Sequence, residues 1–248
     1  MGTYLITGAT GGIGTAVAEL LRRRGHDLVL TARSPQRLGE LAGRLRGGAH
    51  AATQVISPDA VASARRDPSI TTIPVDLTEP LRIEASLAMS GLPPRLDGVV
   101  HAAGMVHLAP VADTEADEWI QHLSVNLVSA AELTRLLLPA LRAAEGHIVF
   151  VNSTAGLRAN PEWSAYAASK FGLRALADSL RAEEPSLRVT TVYPGRTATD
   201  MQRKVRAQEG HPYAEDDFAA PATVARVLVS ALETPRDAVV SEVTVRPN

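Results

Sequence analysis

Seven short runs rich in Val, Ile, Leu and Thr recur along the chain, at residues 3–7, 27–32, 70–75, 97–103, 147–153, 188–194 and 241–245. Stretches of helical character separate them. Runs that are continuously apolar suit strands buried on both faces, as in a parallel sheet covered by helices. Seven strands alternating with helices predict an α/β fold, a doubly wound (Rossmann-type) seven-stranded parallel sheet flanked by helices on both faces. At 248 residues, a single domain over 1–248 is the simplest expectation.

Start signals place some helices. Ser34 is positioned as an N-cap with Pro35 at the first helical residue, and Thr114 stands three residues before Asp117 in an acidic first turn. One connection breaks the rhythm. Residues 47–69 separate the second helix from the third strand, far more than the usual 2–6 residues, and read as an inserted surface elaboration with a short helix starting at Ser57 and Pro58.

Composition removes several function classes. The chain has no cysteine, so disulfides, thiolate metal sites and a cysteine nucleophile are excluded, and its seven histidines show no H-x-x-x-H spacing that would pair imidazoles on a metal. A net charge of −2 gives no basic excess for nucleic acid. No apolar run reaches the roughly 18 residues of a membrane span. The opening TYLITG leaves no room for a signal core, so the expected location is cytoplasmic.

The first strand runs directly into TGATGGIG, where Gly8, Gly11, Gly12 and Gly14 cluster at the turn into a helix. Glycines there let backbone N–H groups and the positive helix end approach a phosphate. The spacing is G-x-x-x-G-x-G. It differs from the common G-x-G-x-x-G fingerprint, and no Lys-Ser/Thr follows as a nucleoside triphosphate loop requires. Its place in a βαβ unit reads as a dinucleotide pyrophosphate site, with Gly8, Thr10, Gly12, Ile13 and Gly14 as its residues. The second strand ends in LTAR, with no acid for a ribose 2′-OH and with Arg33 instead, which favours NADP while leaving NAD open.

Farther on, SAYAASK puts Tyr166 and Lys170 four residues apart, on one face if the segment is helical. Alone, the pair is equally a surface feature. Its company changes the reading: Ser153 closes the HIVFVNS strand at the carboxyl edge of the sheet, where open α/β folds bind ligands, and Asn126 lies in SVNLVSA.

In this order and spacing the glycine loop, VDL at 75–77, HAAG at 101–104, Asn126, Ser153, Y-x-x-x-K at 166–170 and YPGRTAT at 193–199 resemble the short-chain dehydrogenase/reductase family, in its compact form, over essentially the whole chain. The resemblance implies a catalytic set of Asn126, Ser153, Tyr166 and Lys170, with no metal. Tyr166 would exchange a proton with a carbonyl or alcohol oxygen while hydride moves to or from a nicotinamide. Lys170 would lower the tyrosine pKa and bind the nicotinamide ribose, Ser153 would hold the substrate oxygen, and Asn126 would anchor a water relay. A tyrosine titrating near ~10 needs roughly 4 kcal/mol of preferential phenolate stabilisation to act as a base near neutrality.

The cofactor set carries over in the same way. Asp76 and Leu77 would meet the adenine, Ala103 and Gly104 the adenine ribose, and Pro194, Gly195, Thr197 and Thr199 the carboxamide and pyrophosphate. Asp76 and Ser153 also fit plain turn and cap roles. Two departures stand out: HAAG replaces the family's frequent Asn-Asn-Ala-Gly, removing side chains that usually brace the sheet, and Gly11 stands where NADP-preferring relatives often carry a basic residue.

Residues 196–220 are expected to form a substrate flap, polar and of mixed charge, over a small or medium carbonyl compound or secondary alcohol; Arg196, Arg203, Lys204 and Arg206 offer an anion site. Family resemblance implies a homodimer or homotetramer through the Y-x-x-x-K helix and the one before it, although their apolar residues could equally pack on the sheet. A non-catalytic dinucleotide-binding sensor is the rival reading, and it would not need the complete acid–base set.

Overall fold

In a computed structural model, residues 1–51 and 67–248 are described, with side chains for 1–47 and 67–248. The strands are β1 (Thr3–Thr7), β2 (Asp27–Ala32), β3 (Ile70–Pro74), β4 (Gly98–His101), β5 (His147–Val151), β6 (Arg188–Pro194) and β7 (Glu242–Val245). They form one sheet in the order β3-β2-β1-β4-β5-β6-β7, and every neighbouring pair is parallel. The order reverses between β1 and β4, which opens a crevice at their carboxyl ends.

Two apolar layers explain why the strands read as continuous runs. On one side α1 (Gly12–Arg23), α2 (Pro35–Ala51) and α8 (Pro221–Leu232) send Val17, Leu21, Leu38, Leu228 and Leu232 against Ile6, Leu28, Val100 and Val149. On the other, α3 (Ile83–Ala88), α5 (Ser129–Ala144) and α6 (Ser164–Glu183) bury Leu87, Leu137, Leu141 and Leu180 against Leu5, Val99, Ile148 and Phe150. Leu5 and Ile6, or Val99 and Val100, therefore face opposite cores because strand side chains alternate.

Ser34 caps α2 as expected, accepting from Arg37 N–H at 3.3 Å. Thr114 does not cap α4 (Ala116–Leu123): the N-cap is Glu115 without a side-chain bond, and Thr114 turns back to donate to Pro110 O at 2.8 Å. Helix α2 runs to Ala51, so the predicted insertion starts within a helix; the Ser57–Pro58 start lies outside the described residues. Asn126 lies in a π-helical turn, Ser124–Val128, between α4 and α5.

His101, where the family often has asparagine, braces the sheet in its own way. Its ring stacks on Phe150 with centroids 4.9 Å apart. The Thr134 hydroxyl donates to Ala130 O at 2.7 Å, so its contact with His101 Nε2 at 3.0 Å is a bond that the imidazole donates. Burial lowers the His101 pKa to about 3.

Candidate active site

The carboxyl edge of the sheet collects the predicted residues in spatial order. Asp76 follows β3, Arg33 follows β2, Gly8 follows β1, Ala103 and Gly104 follow β4, Ser153 follows β5, and Pro194, Gly195, Thr197 and Thr199 end or follow β6. Chain segments far apart in sequence thus meet along one edge of the sheet.

At its centre the glycine loop is packed too tightly for side chains. Gly8 has φ +59°, and a Cβ there would stand 2.7 Å from Ala103 Cα. A Cβ on Gly12 would lie 2.5 Å from Thr199 Cγ2, and one on Gly14 would collide with the Gly8 oxygen. Thr7 Oγ1 ties this loop to the next one, accepting from Ala102 N–H and Ala103 N–H at 3.0 and 3.1 Å. A bare-backbone cradle at a helix N-terminus fits a pyrophosphate. Thr10 and Ile13 lie within this loop. Ile13 lines the cavity, and Thr10 O accepts from Arg37 Nη2 at 3.0 Å.

At the β2–β3 end, burial pushes the Asp76 carboxyl up, but bonds from the Thr78 N–H and hydroxyl, with the Arg33 charge, outweigh it and hold the carboxyl low. Asp76 Oδ1 accepts from Thr78 N–H at 3.0 Å and from its hydroxyl at 2.8 Å, so Asp76 does have the turn role the sequence allowed. Leu77 O accepts from Ser129 at 2.7 Å, which fixes this loop to α5.

At the other end stand the four candidate catalytic residues. Tyr166 and Lys170 share one face of α6 and are 6% and 3% exposed, so they are not a surface pair. Lys170 Nζ lies 5.8 Å from the Tyr166 ring centroid and donates to Val151 O at 3.0 Å; burial lowers its pKa to about 8. Burial raises the Tyr166 pKa, and a hydrogen bond with Ser153 pulls the other way. Ser153 also caps the following turn, accepting from Ala155 N–H at 3.1 Å.

The Asn126 side chain is spent on structure. Its Oδ1 accepts from Met105 N–H at 2.8 Å, while Nδ2 donates to Met105 O at 3.0 Å and to Ser169 Oγ at 2.9 Å. Ser169 in turn donates to Tyr166 O at 2.7 Å. Asn126 therefore holds the loop after β4 against the Tyr166 helix. A Cβ on Gly104 would stand 3.2 Å from Asn126 Oδ1 and 3.7 Å from Lys170 Nζ, which places that loop beside both.

Two residues at the site, Asn152 and Trp163, carried no sequence signal. Asn152 donates to Lys170 O at 3.0 Å and accepts from Ser153 N–H at 2.8 Å, joining β5 to α6. Trp163 packs edge-on to Tyr166 with centroids 5.7 Å apart, and Arg196 lies 5.9 Å from the Trp163 ring centroid. Both line the cavity, as do Met201, Gln202 and Val205 from the 196–220 segment.

That segment contains α7 (Asp200–Gln208). Bonds between Ala219 N–H and Arg196 O and between Ala198 N–H and Ala219 O clip its ends together. The expected anion site is largely spent: Arg196 makes two bonds to Glu209, Arg206 makes one, and Arg203 stacks over Tyr213 at 4.2 Å.

Among the described residues no group of His, Cys, Asp or Glu could hold a metal ion, and no helix is long and apolar enough to cross a membrane.

A family model described as short chain dehydrogenase matches residues 51–210. The chain is 31% identical over 252 residues to a glycine betaine reductase of Emericella nidulans, covering 98% of this chain but 18% of that much longer relative. It is 28% identical over 246 residues to an uncharacterized oxidoreductase of Staphylococcus epidermidis, covering 98% of this chain and 96% of the relative. A solved short chain dehydrogenase from Escherichia coli CFT073, complexed with NADPH, superposes with a TM-score of 0.79 at 25% identity, covering 98% and 95% of the two chains.

Proposed function

This chain belongs to the short-chain dehydrogenase family of oxidoreductases, and from that premise we propose that it is an NADP(H)-dependent enzyme. It transfers a hydride between the nicotinamide and a small or medium carbonyl compound or secondary alcohol, with Tyr166 as general acid/base. The observation that carries this reading is the buried Tyr166, hydrogen-bonded to Ser153 and backed by the Lys170 ammonium on the wall of the cavity.

The bound dinucleotide supplies or receives the hydride. Ser153 and Tyr166 bind the reacting oxygen, and Tyr166 delivers its proton to that oxygen in reduction. A tyrosine whose pKa burial holds above its ordinary value stays protonated at neutral pH, the form that delivers a proton in reduction. Lys170 supplies a buried positive charge beside the phenol and the ribose site. Met105, Ser169 and Asn126 keep the loop after β4 and the Tyr166 helix in register, and any relay through Asn126 runs by its main chain.

Three features support NADP: the absence of an acid after β2, the presence of Arg33 there, and NADPH in the solved relative. Arg37, drawn across the loop to Thr10 O, adds a cation near the position where Gly11 offers none. Residues 196–220 serve as the substrate flap. Exposed Val128 and Phe171, next to or on the two long helices, support a homodimer or homotetramer. The non-catalytic sensor is the weaker reading because Ser153, Tyr166 and Lys170 are retained around one cavity, with Asn126 bonded to the loop beside it.

The deciding experiment follows NADPH and NADH oxidation separately against aldehydes, ketones, diketones and quinones, with Tyr166→Phe as blank. Tyr166-dependent turnover with NADPH is the expected result. Tight NADPH binding with no turnover across the panel counts against the enzyme reading.

A further inference from the structure

Gln202 stands at the third position of α7, its N–H donating to the Thr199 cap at 3.2 Å. The residue is 7% exposed and lines the active-site cavity. Its side-chain Nε2 is buried without a hydrogen-bond partner. Such a donor is unfavourable unless something completes it.

Its neighbours on the same wall have partners inside the protein. Asn152 is spent on Lys170 and Ser153, Thr197 donates to Gly195 O, and Thr199 donates to Thr197 O. Arg196 is neutralised by a two-bond pair with Glu209. Ser153 and Tyr166 are reserved for the reacting oxygen. Gln202, on the cavity wall, therefore carries an unspent donor.

We propose that Gln202 is a specificity-determining residue, its Nε2–H bonding a second, uncharged acceptor oxygen on the substrate. The preferred substrates are then carbonyl compounds bearing a further keto, hydroxyl or ester oxygen. A neutral acceptor fits better than a carboxylate, because the nearby guanidinium already has its carboxylate partner. This rests on the oxidoreductase reading above and deepens it.

The test compares kcat/KM for 2,3-pentanedione and 2-pentanone with NADPH, in the unaltered protein and in Gln202→Leu and Gln202→Glu. NADPH affinity is read separately by nucleotide fluorescence. Leucine cannot donate, nor can glutamate once ionised, so at a pH where the Glu variant is ionised the diketone-to-ketone ratio should fall about 10- to 100-fold in both, while the NADPH Kd moves less than twofold. Gln202→Leu also removes an unpaired buried donor, so the melting temperature of the free protein should hold or rise.

An unchanged ratio in both variants overturns the proposal. A parallel weakening of NADPH binding overturns it too, by assigning the acceptor oxygen to the dinucleotide, and a fall in melting temperature assigns the amide a structural role instead. If the unaltered protein oxidises NADPH with neither compound, while binding it, the oxidoreductase reading fails for this substrate class and the proposal falls with it.

Discussion

Lys170 on α6 donates from Nζ to the main-chain oxygen of Val151 at the end of β5, 3.0 Å away. The ammonium is thereby fixed two residues from Ser153, in a site where burial lowers its pKa to about 8. Below that pH the lysine is charged; above it the charge, and its attraction for an anionic cofactor, is lost. NADPH affinity should therefore fall as pH rises through about 8, and Lys170→Met should flatten that dependence, as read by fluorescence titration from pH 6.5 to 9.5. The stability sign is opposite. Between about 8 and the ordinary lysine value the unfolded chain holds more protons than the folded one, so this residue's contribution to stability rises with pH.

Tyr166→Phe removes the hydroxyl while keeping the ring against Trp163. Positioned proton transfer is worth about 10²–10⁴-fold, so kcat should fall by that factor while the NADPH Kd stays within about twofold. Single-turnover measurement at saturating cofactor checks it. Comparable turnover by the variant would remove Tyr166 from the chemistry.

Arg33 acts on the edge of the sheet where Asp76 sits, close enough for its charge to help hold that carboxyl low. Arg33→Asp should weaken NADPH binding at least about tenfold more than NADH binding, since an acid there suits a ribose 2′-OH and repels a 2′-phosphate. Paired titrations measure the ratio. If the ratio is unchanged, the 2′-phosphate is read elsewhere, and Arg37→Ala becomes the informative variant.

His101 and His147 are buried and neutral, with pKa values lowered to about 3 and about 4. As pH falls below the unfolded value near 6.5, the unfolded chain gains protons that the folded chain refuses, so stability drops. Each contributes a slope of up to about 1.4 kcal/mol per pH unit in that window. Urea unfolding at pH 7, 6 and 5 should show a shallower decline for His101→Asn than for the unaltered protein. An equal slope would mean that His101 is charged in the fold or screened in the unfolded chain.

The sheet was legible because strands covered on both faces must be apolar at every position, as Leu5 and Ile6 illustrate by entering opposite cores. The glycine loop and Tyr166–Lys170 were legible because their chemistry is local in sequence. What was not legible depends on tertiary choice. The helix α2 continues through Gly47 to Ala51 despite weak intrinsic propensity. The π turn around Asn126 accompanies bonds to Met105 and Ser169, distant partners that a local pattern does not encode. Gln202 and Trp163 become cavity walls only once β6, α6 and α7 are packed together.

The contact between Gly12 and Thr199 joins the first loop to the start of α7, and it can be tested as a pair. A Cβ on Gly12 would lie 2.5 Å from Thr199 Cγ2 and 3.1 Å from Thr199 Cβ. The worst clash is thus with a methyl that serine lacks. Gly12→Ala should push α7 away from the cradle and weaken NADPH binding by about an order of magnitude or more, because steric misplacement at a phosphate loop forfeits backbone bonds worth about 1.5–3 kcal/mol each. Adding Thr199→Ser keeps the hydroxyl cap on Gln202 N–H and removes the offending methyl, so the double variant should recover much of the loss. A double-mutant cycle on NADPH Kd then gives a non-zero coupling, the double variant losing less than the sum of the two single losses. If the two losses merely add, alanine at Gly12 disturbs the loop by some route other than Thr199.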